Sequence, residues 1–202
     1  MIALPDAPTL SWPSPVCEAC DCPTLTPQVS DDLARHAGRV ADLALALARR
    51  LHISQDDCEA LRLGALWHDI GKLAVPRSIL DKPGPLTFAE RAIIRLHTLY
   101  GPLMCPRLPP AALQIIVCHH ERWDGQGYPL GLAGAAIPKL ARIVAVADVY
   151  DALIHDRVYR PAWEPARARA HIREEMARQF DPAPAAALLK LSHQELDHAC
   201  LD

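Results

Sequence analysis

The chain has 202 residues, enough for one domain, or one domain with a tail, around a real core. Half of it is apolar, which excludes a disordered protein, and 21 basic against 24 acidic residues give −3 with a pI near 6.3. That balance excludes a non-specific binder of nucleic acid polymers, though not a local anion site. Aromatic residues are scarce, whereas there are ten histidines. Seven scattered cysteines fit a reduced compartment better than a disulfide framework. No run of 18 apolar residues and no secretion signal is seen, so a cytoplasmic protein with no membrane segment is expected.

Six prolines fall within the first 27 residues, and residues 1–29 read as an irregular, proline-rich arm before a domain over 30–202. Cys17, Cys20 and Cys22 lie in the arm as C-x-x-C-x-C. They could hold a metal or cycle as a redox pair. A four-thiolate site needs a second ligand cluster, and the other cysteines are scattered singly, so incidental thiols are the plainer reading.

From Ser30, Leu33, Val40, Leu43, Leu47 and Leu51 recur at helical spacing, with His36 on the same face. Ser54 and Asp57 open a second helix in a capping-box pattern, ending near Gly71. Thr87-x-x-Glu90 opens a third, closed by Gly101-Pro102. A fourth covers about 110–121 and ends in His119-His120. Pro138 starts a fifth and Pro165 a sixth, the latter with Ala168, Ile172, Met176 and Gln179 in register. A last helix follows Asp181-Pro182 over about 183–198. No strand pattern or repeat is found, and the fold class is all-α, a compact helical bundle.

Polar residues stand where core residues belong: His36, His68, Asp69, His97, His119, His120 and Asp148. One such histidine is usually a satisfied core residue. Burying each unpaired costs about 1–3 kcal/mol, and a shared metal offsets that cost for all. Imidazole and carboxylate suit iron, manganese or zinc. Neighbours such as His68 and Asp69 project about 100° apart on a helix, so the carboxylate is able to bridge to a second ion.

His68-Asp69-Ile70-Gly71-Lys72 resembles the motif of the HD phosphohydrolase superfamily. The run His119-His120-Glu121-Arg122-Trp123-Asp124-Gly125-Gln126-Gly127-Tyr128-Pro129 resembles the signature of HD-GYP domains, bacterial phosphodiesterases of cyclic di-GMP. The likeness extends through Val75-Pro76, Lys82-Pro83-Gly84, His97-x-x-x-Gly101, Val146–Leu153, Asp156-Arg157-x-Tyr159-Arg160 and Phe180-Asp181-Pro182, over about residues 30–190.

The resemblance implies two divalent ions, iron or manganese, held by His36, His68, Asp69, His97, His119, His120 and Asp148, with Asp69 bridging. It implies that His68, Asp69 and Lys72 carry the chemistry, Lys72 meeting a phosphate oxygen. Arg157 and Arg160 would bind the phosphates or guanine of the substrate, and Tyr128 would either contact substrate or cap the core. Some members hold a third metal with a glutamate one turn before the first histidine. Asp32 stands there, and either coordinates or only favours the helix dipole. The implied activity is hydrolysis of cyclic di-GMP to pGpG, and onward to GMP, in bacterial signalling. Two alternatives are another cyclic dinucleotide or nucleotide phosphate as substrate, and a regulatory module docking on a signalling protein through the GYP surface. With no sensor domain seen ahead of it, regulation is expected from expression, a partner or redox change. His52, His155, His171, His193 and His198 fit no motif and are expected to face solvent.

Overall fold

The computed structural model describes residues 31–156, 161–192 and 195. The expected arm, its three cysteines, Arg157, Arg160, His193 and His198 lie outside them. α1 (Asp31–Arg50) buries Val40, Leu43, Ala44 and Leu47, and the two arginines that end it favour the helix dipole. α2 (Gln55–Trp67) starts where the Ser54 side chain accepts from the Asp57 N–H. A 3-10 turn (Ile70–Ala74) and the short α3 (Arg77–Leu80) follow. Then come α4 (Phe88–Arg95), α5 (His97–Met104), α6 (Pro110–Cys118), a 3-10 turn (Gly134–Ala136), α7 (Lys139–Ile154), α8 (Pro165–Glu174) and α9 (Pro182–Leu189). Among the described residues the only extended pairing is an isolated bridge between Met176 and Phe180, and no helix is long and apolar enough to cross a membrane.

α7 is the centre. Leu140, Ala141, Ile143, Val144, Ala145, Val146 and Ala147 are all buried, as befits a helix enclosed by its neighbours. α1, α6, α8 and α9 pack against it, α2 lies between α1 and α6, and α5 covers the first 3-10 turn beside α6. The main core runs from Val40 to Leu191, and a smaller one gathers Ile70, Cys105, Leu108, Ala112 and Ile116.

Five expected boundaries shift, the first being the second helix, which ends at Trp67 rather than near Gly71. The third helix divides at Leu96, whose N–H reaches the carbonyls of Ile93 and Ile94, and α5 then runs through Gly101-Pro102. Gly101 is there for contact, not termination: a Cβ on it would lie 2.4 Å from Ile116 Cγ2. A Cβ on Gly71 would likewise meet the His97 carbonyl oxygen at 2.0 Å, so the 3-10 turn and α5 touch through their backbones. α6 stops at Cys118, with His119 and His120 beyond it. α8 stops at Glu174, before Met176 and Gln179. α9 ends at Leu189 because Arg169 takes the carbonyls of Leu189 and Leu191, and Ser192 and Glu195 then form a reciprocal cap.

Gly64 sets the approach of α2 to α6, since a Cβ there would lie 2.5 Å from Ile115 Cδ1, whereas one on Gly38 meets nothing within 4 Å. Gly64→Ala should cost about 1–3 kcal/mol by overpacking, and Gly38→Ala should gain about 0.5–1 kcal/mol from helix propensity. Urea midpoints moving in opposite directions check both.

Candidate metal centre

Helix ends converge on one buried point. His68 caps the C-terminus of α2, His97 follows α4 at the start of α5, and His119 caps α6. The last carbonyls of a helix lack internal partners, and here each accepts from an imidazole three residues on. His68 Nδ1 donates to Ala65 O at 2.6 Å, His97 Nδ1 to Ile94 O at 2.6 Å, and His119 Nδ1 to Ile116 O at 2.9 Å. With the proton on Nδ1, each Nε2 presents a lone pair to the interior.

Asp69 lies among those nitrogens. His97 Nε2 is 3.4 Å and His119 Nε2 3.8 Å from its Oδ1, while His68 Nε2 is 3.4 Å from Oδ2. Lys72 Nζ donates to Oδ2 at 2.5 Å. Burial opposes the Asp69 charge, yet Lys72 and His68 hold it well below the usual carboxylate range. Burial depresses His97 and His119, and brings His120 to about 4, keeping these imidazoles neutral.

The fourth wall is made by α1 and α7. His36 and Arg39 are one turn apart on α1, and Asp148 and Asp151 one turn apart on α7. His36 Nε2 is 3.1 Å from Asp148 Oδ1, and its Nδ1 donates to Asp151 Oδ2 at 2.6 Å. Burial opposes the imidazolium, but the two carboxylates outweigh it and lift His36 to about 9. Asp151 is fully buried and also accepts two bonds from Arg39, at 2.7 and 3.0 Å, and faces His155 Nδ1 at 3.1 Å.

The structure thus brings together all seven expected ligands. Two groups have donor atoms within 4.8 Å of one another: Asp69, His97, His119 and His120, and His36, His68 and Asp69. Asp69 belongs to both, and Asp148 Oδ1 adjoins the second, 3.9 Å from His68 Nε2. The fit to cations is physical: His68 Nε2 and Asp69 Oδ1 are buried without a hydrogen-bond partner, a costly arrangement that cations would relieve. The donors are imidazole and carboxylate, with no thiolate among them.

Asp32 is not in the cluster. It is 90% exposed and paired with Arg35. Lys72 stands at the cluster edge, partly exposed. Tyr128 is drawn over it: its ring lies 4.8 Å from that of His120, and its N–H reaches the His120 carbonyl at 3.3 Å. Burial raises its phenol above the ordinary value. Glu121 shapes this loop from inside, accepting from Leu130 N at 2.7 Å and Leu132 N at 3.0 Å. Gly125 has φ +76°, whereas Gly127 is needed for space, since a Cβ would lie 2.4 Å from Arg122 N. Asp151 and Glu121 were legible only as acids inside motifs. The spacing of Asp151, one turn after Asp148 on an apolar helix, was the available signal. Of the histidines expected in solvent, His52 is exposed, but His155 is held by Asp151 and His171 packs on Trp163.

The HD domain family matches residues 23–183, and the chain belongs to that family. It is 40% identical over 166 residues to the cyclic di-GMP phosphodiesterase response regulator RpfG of Xanthomonas campestris, covering 80% of this chain and 44% of that protein. It is 42% identical over 159 residues to the 3'3'-cGAMP-specific phosphodiesterase 3 of Vibrio cholerae, covering 78% and 35%. An HDG"Y"P protein from Bdellovibrio bacteriovorus superposes with a TM-score of 0.63 at 25% identity, over 78% of this chain and 51% of that one. The chain spans less than half the length of these two curated relatives. HD domains are metal-dependent, and the His/Asp cluster of this one is able to hold metal ions.

Asp151 orients His36 without being a candidate ligand itself. Asp151→Asn should weaken metal binding about 10- to 100-fold, read by titrating the metal-depleted protein with Mn(II), while the helical circular dichroism signal is kept.

Proposed function

We propose that this chain hydrolyses a 3′–5′ phosphodiester bond of a cyclic dinucleotide, cyclic di-GMP first, at two divalent ions, iron or manganese. The observation that carries this reading is the pair of donor groups sharing Asp69, with His68 Nε2 and Asp69 Oδ1 unsatisfied. His36, His68, Asp69 and Asp148 would hold one ion, and Asp69, His97, His119 and His120 the other. When bound, the ions would supply an acidified water as nucleophile and positive charge opposite the phosphoryl oxygens.

The residues do the remaining work. Neutral His97 and His119 keep their lone pairs inward, and burial keeps His120 neutral beside them. Lys72, with two N–H groups beyond the one given to Asp69, offers donors to a phosphoryl oxygen. The loop held by Glu121 sets Tyr128 against His120, where it would serve as a wall for the substrate. Arg157 and Arg160 are proposed to bind phosphate or guanine through their planar forks. The product would be pGpG, with a second cut to GMP, and the setting cytoplasmic signalling.

Relatives named for cyclic di-GMP and for 3'3'-cGAMP both support a cyclic dinucleotide, and the second name makes 3'3'-cGAMP the competing substrate. Docking of a signalling protein is a further use of the same face, for which Leu130, 60% exposed beside Tyr128, offers an apolar foothold.

The test is turnover of cyclic di-GMP, 3'3'-cGAMP and cyclic di-AMP by anaerobically purified protein loaded with Fe(II) or Mn(II). Cyclic di-GMP should be cut. His68→Ala and Asp69→Ala should each lose about 10³-fold or more, several kcal/mol of transition-state stabilisation. Chelation should abolish turnover and lower the melting temperature, because ligand binding stabilises only the folded state. A fully loaded protein that cuts none of the three overturns the proposal.

A further inference from the structure

A series of neighbouring, mutually tilted rings joins the candidate metal centre to Arg95. The ring centres of His119 and His120 lie 4.1 Å apart, those of His120 and Tyr128 4.8 Å apart, and the guanidinium of Arg95 stands 4.8 Å from the Tyr128 ring centre. Arg95 is the last residue of α4, and the turn it belongs to is fixed. Thr98 Oγ1 donates to the Arg95 carbonyl at 2.9 Å, and His97 Nδ1 to that of Ile94. The side chain is exposed. Several surface arginines are occupied by carboxylates, among them Arg35 by Asp32, Arg62 by Glu59, Arg122 by Asp124 and Arg178 by Glu175. Arg95 has no carboxylate partner among the described residues; an aromatic face positions it instead, two residues before His97 and against the ring that adjoins His120.

We infer that Arg95, held on Tyr128, binds the phosphate of the cyclic dinucleotide that is not being cut. This rests on the cyclic-dinucleotide reading above. Such a substrate carries two phosphodiesters, each with one negative charge. The cluster and Lys72 attend to one of them. The other reaches the site still charged, and a planar fork free of carboxylates pairs with it bidentately. Tyr128 restricts the fork beforehand, so less side-chain freedom is lost on binding.

Arg95→Met and Arg95→Lys, at equal metal loading, are compared on cyclic di-GMP, cyclic di-AMP and bis(p-nitrophenyl) phosphate, which has a single phosphodiester. Arg95→Met should lower kcat/KM for every cyclic dinucleotide the wild type cuts, by roughly 10- to 100-fold, mainly through KM. The loss on bis(p-nitrophenyl) phosphate should be at least several-fold smaller, and Arg95→Lys should recover part of the lost activity because the charge stays. Four results overturn the inference: equal losses on all three substrates, a loss confined to the guanine-bearing substrate, a loss that follows reduced metal content, or no loss. If the wild type cuts no cyclic dinucleotide, the functional proposal falls and this inference with it. If it cuts them and Arg95→Met does too at the wild-type rate, only this inference falls.

Discussion

The carboxylate of Asp69 sits in the interior with its two oxygens doing different things. Oδ2 accepts from Lys72 at 2.5 Å, and Oδ1 faces His97 and His119 without a hydrogen bond. A buried carboxylate is costly unless charge and hydrogen bonds surround it. The folded chain answers by ending helices around it. Three C-terminal carbonyls that would otherwise lack partners each fix an imidazole, and each fixed imidazole turns Nε2 toward the same carboxylate. The backbone contact at Gly71 and His97 brings α5 close enough for this to happen. One lysine does not fully satisfy the group, because an oxygen and a nitrogen remain unpartnered at the centre. Cations bound there would complete the electrostatics that the helices begin.

The α1–α7 side solves a different problem. His36 lies mid-helix, where no free carbonyl is at hand, so a carboxylate on the facing helix orients it. Asp151 is affordable in the core because Arg39 and His155 share its charge. The spacing repeats on both helices: His36 and Arg39 on one, Asp148 and Asp151 on the other. One contact face therefore carries both a candidate ligand pair and the pair that supports it.

The helical pattern, the caps at Ser54 and Thr87 and the seven clustered residues were legible, because periodicity and motif spacing are local properties. Five features were not. Gly101-Pro102 reads locally as a stop, but Gly101 is fixed by what it touches on α6. Arg169 ends α9 from 20 residues away. Asp32 occupies a suggestive register, one turn before His36, yet points to solvent and Arg35. Asp151 and Glu121 are recognisable as acids in the sequence, but their roles depend on His36 and on Leu130 and Leu132, which only folding brings near. Arg95 and Tyr128 are 33 residues apart in a chain with no pattern linking them.

On the proposed reading, the layout separates cutting from choosing. A cluster of imidazoles and carboxylates that engages phosphoryl oxygens through cations is indifferent to the base attached to the sugar, since every phosphodiester offers it the same oxygens. Discrimination must come from side chains beyond the cluster. Those belong to pieces that the core does not fix directly: the loop that Glu121 holds through two backbone N–H groups, and the end of α4 held by Thr98. The loop is tied from outside as well, by Trp123 N to Gln179 O at 3.0 Å and Asp124 N to Arg178 O at 2.8 Å. Substitutions in these ties would shift Tyr128 without disturbing a candidate ligand. The same candidate metal core can therefore be kept while the wall proposed to face the nucleotide is rebuilt.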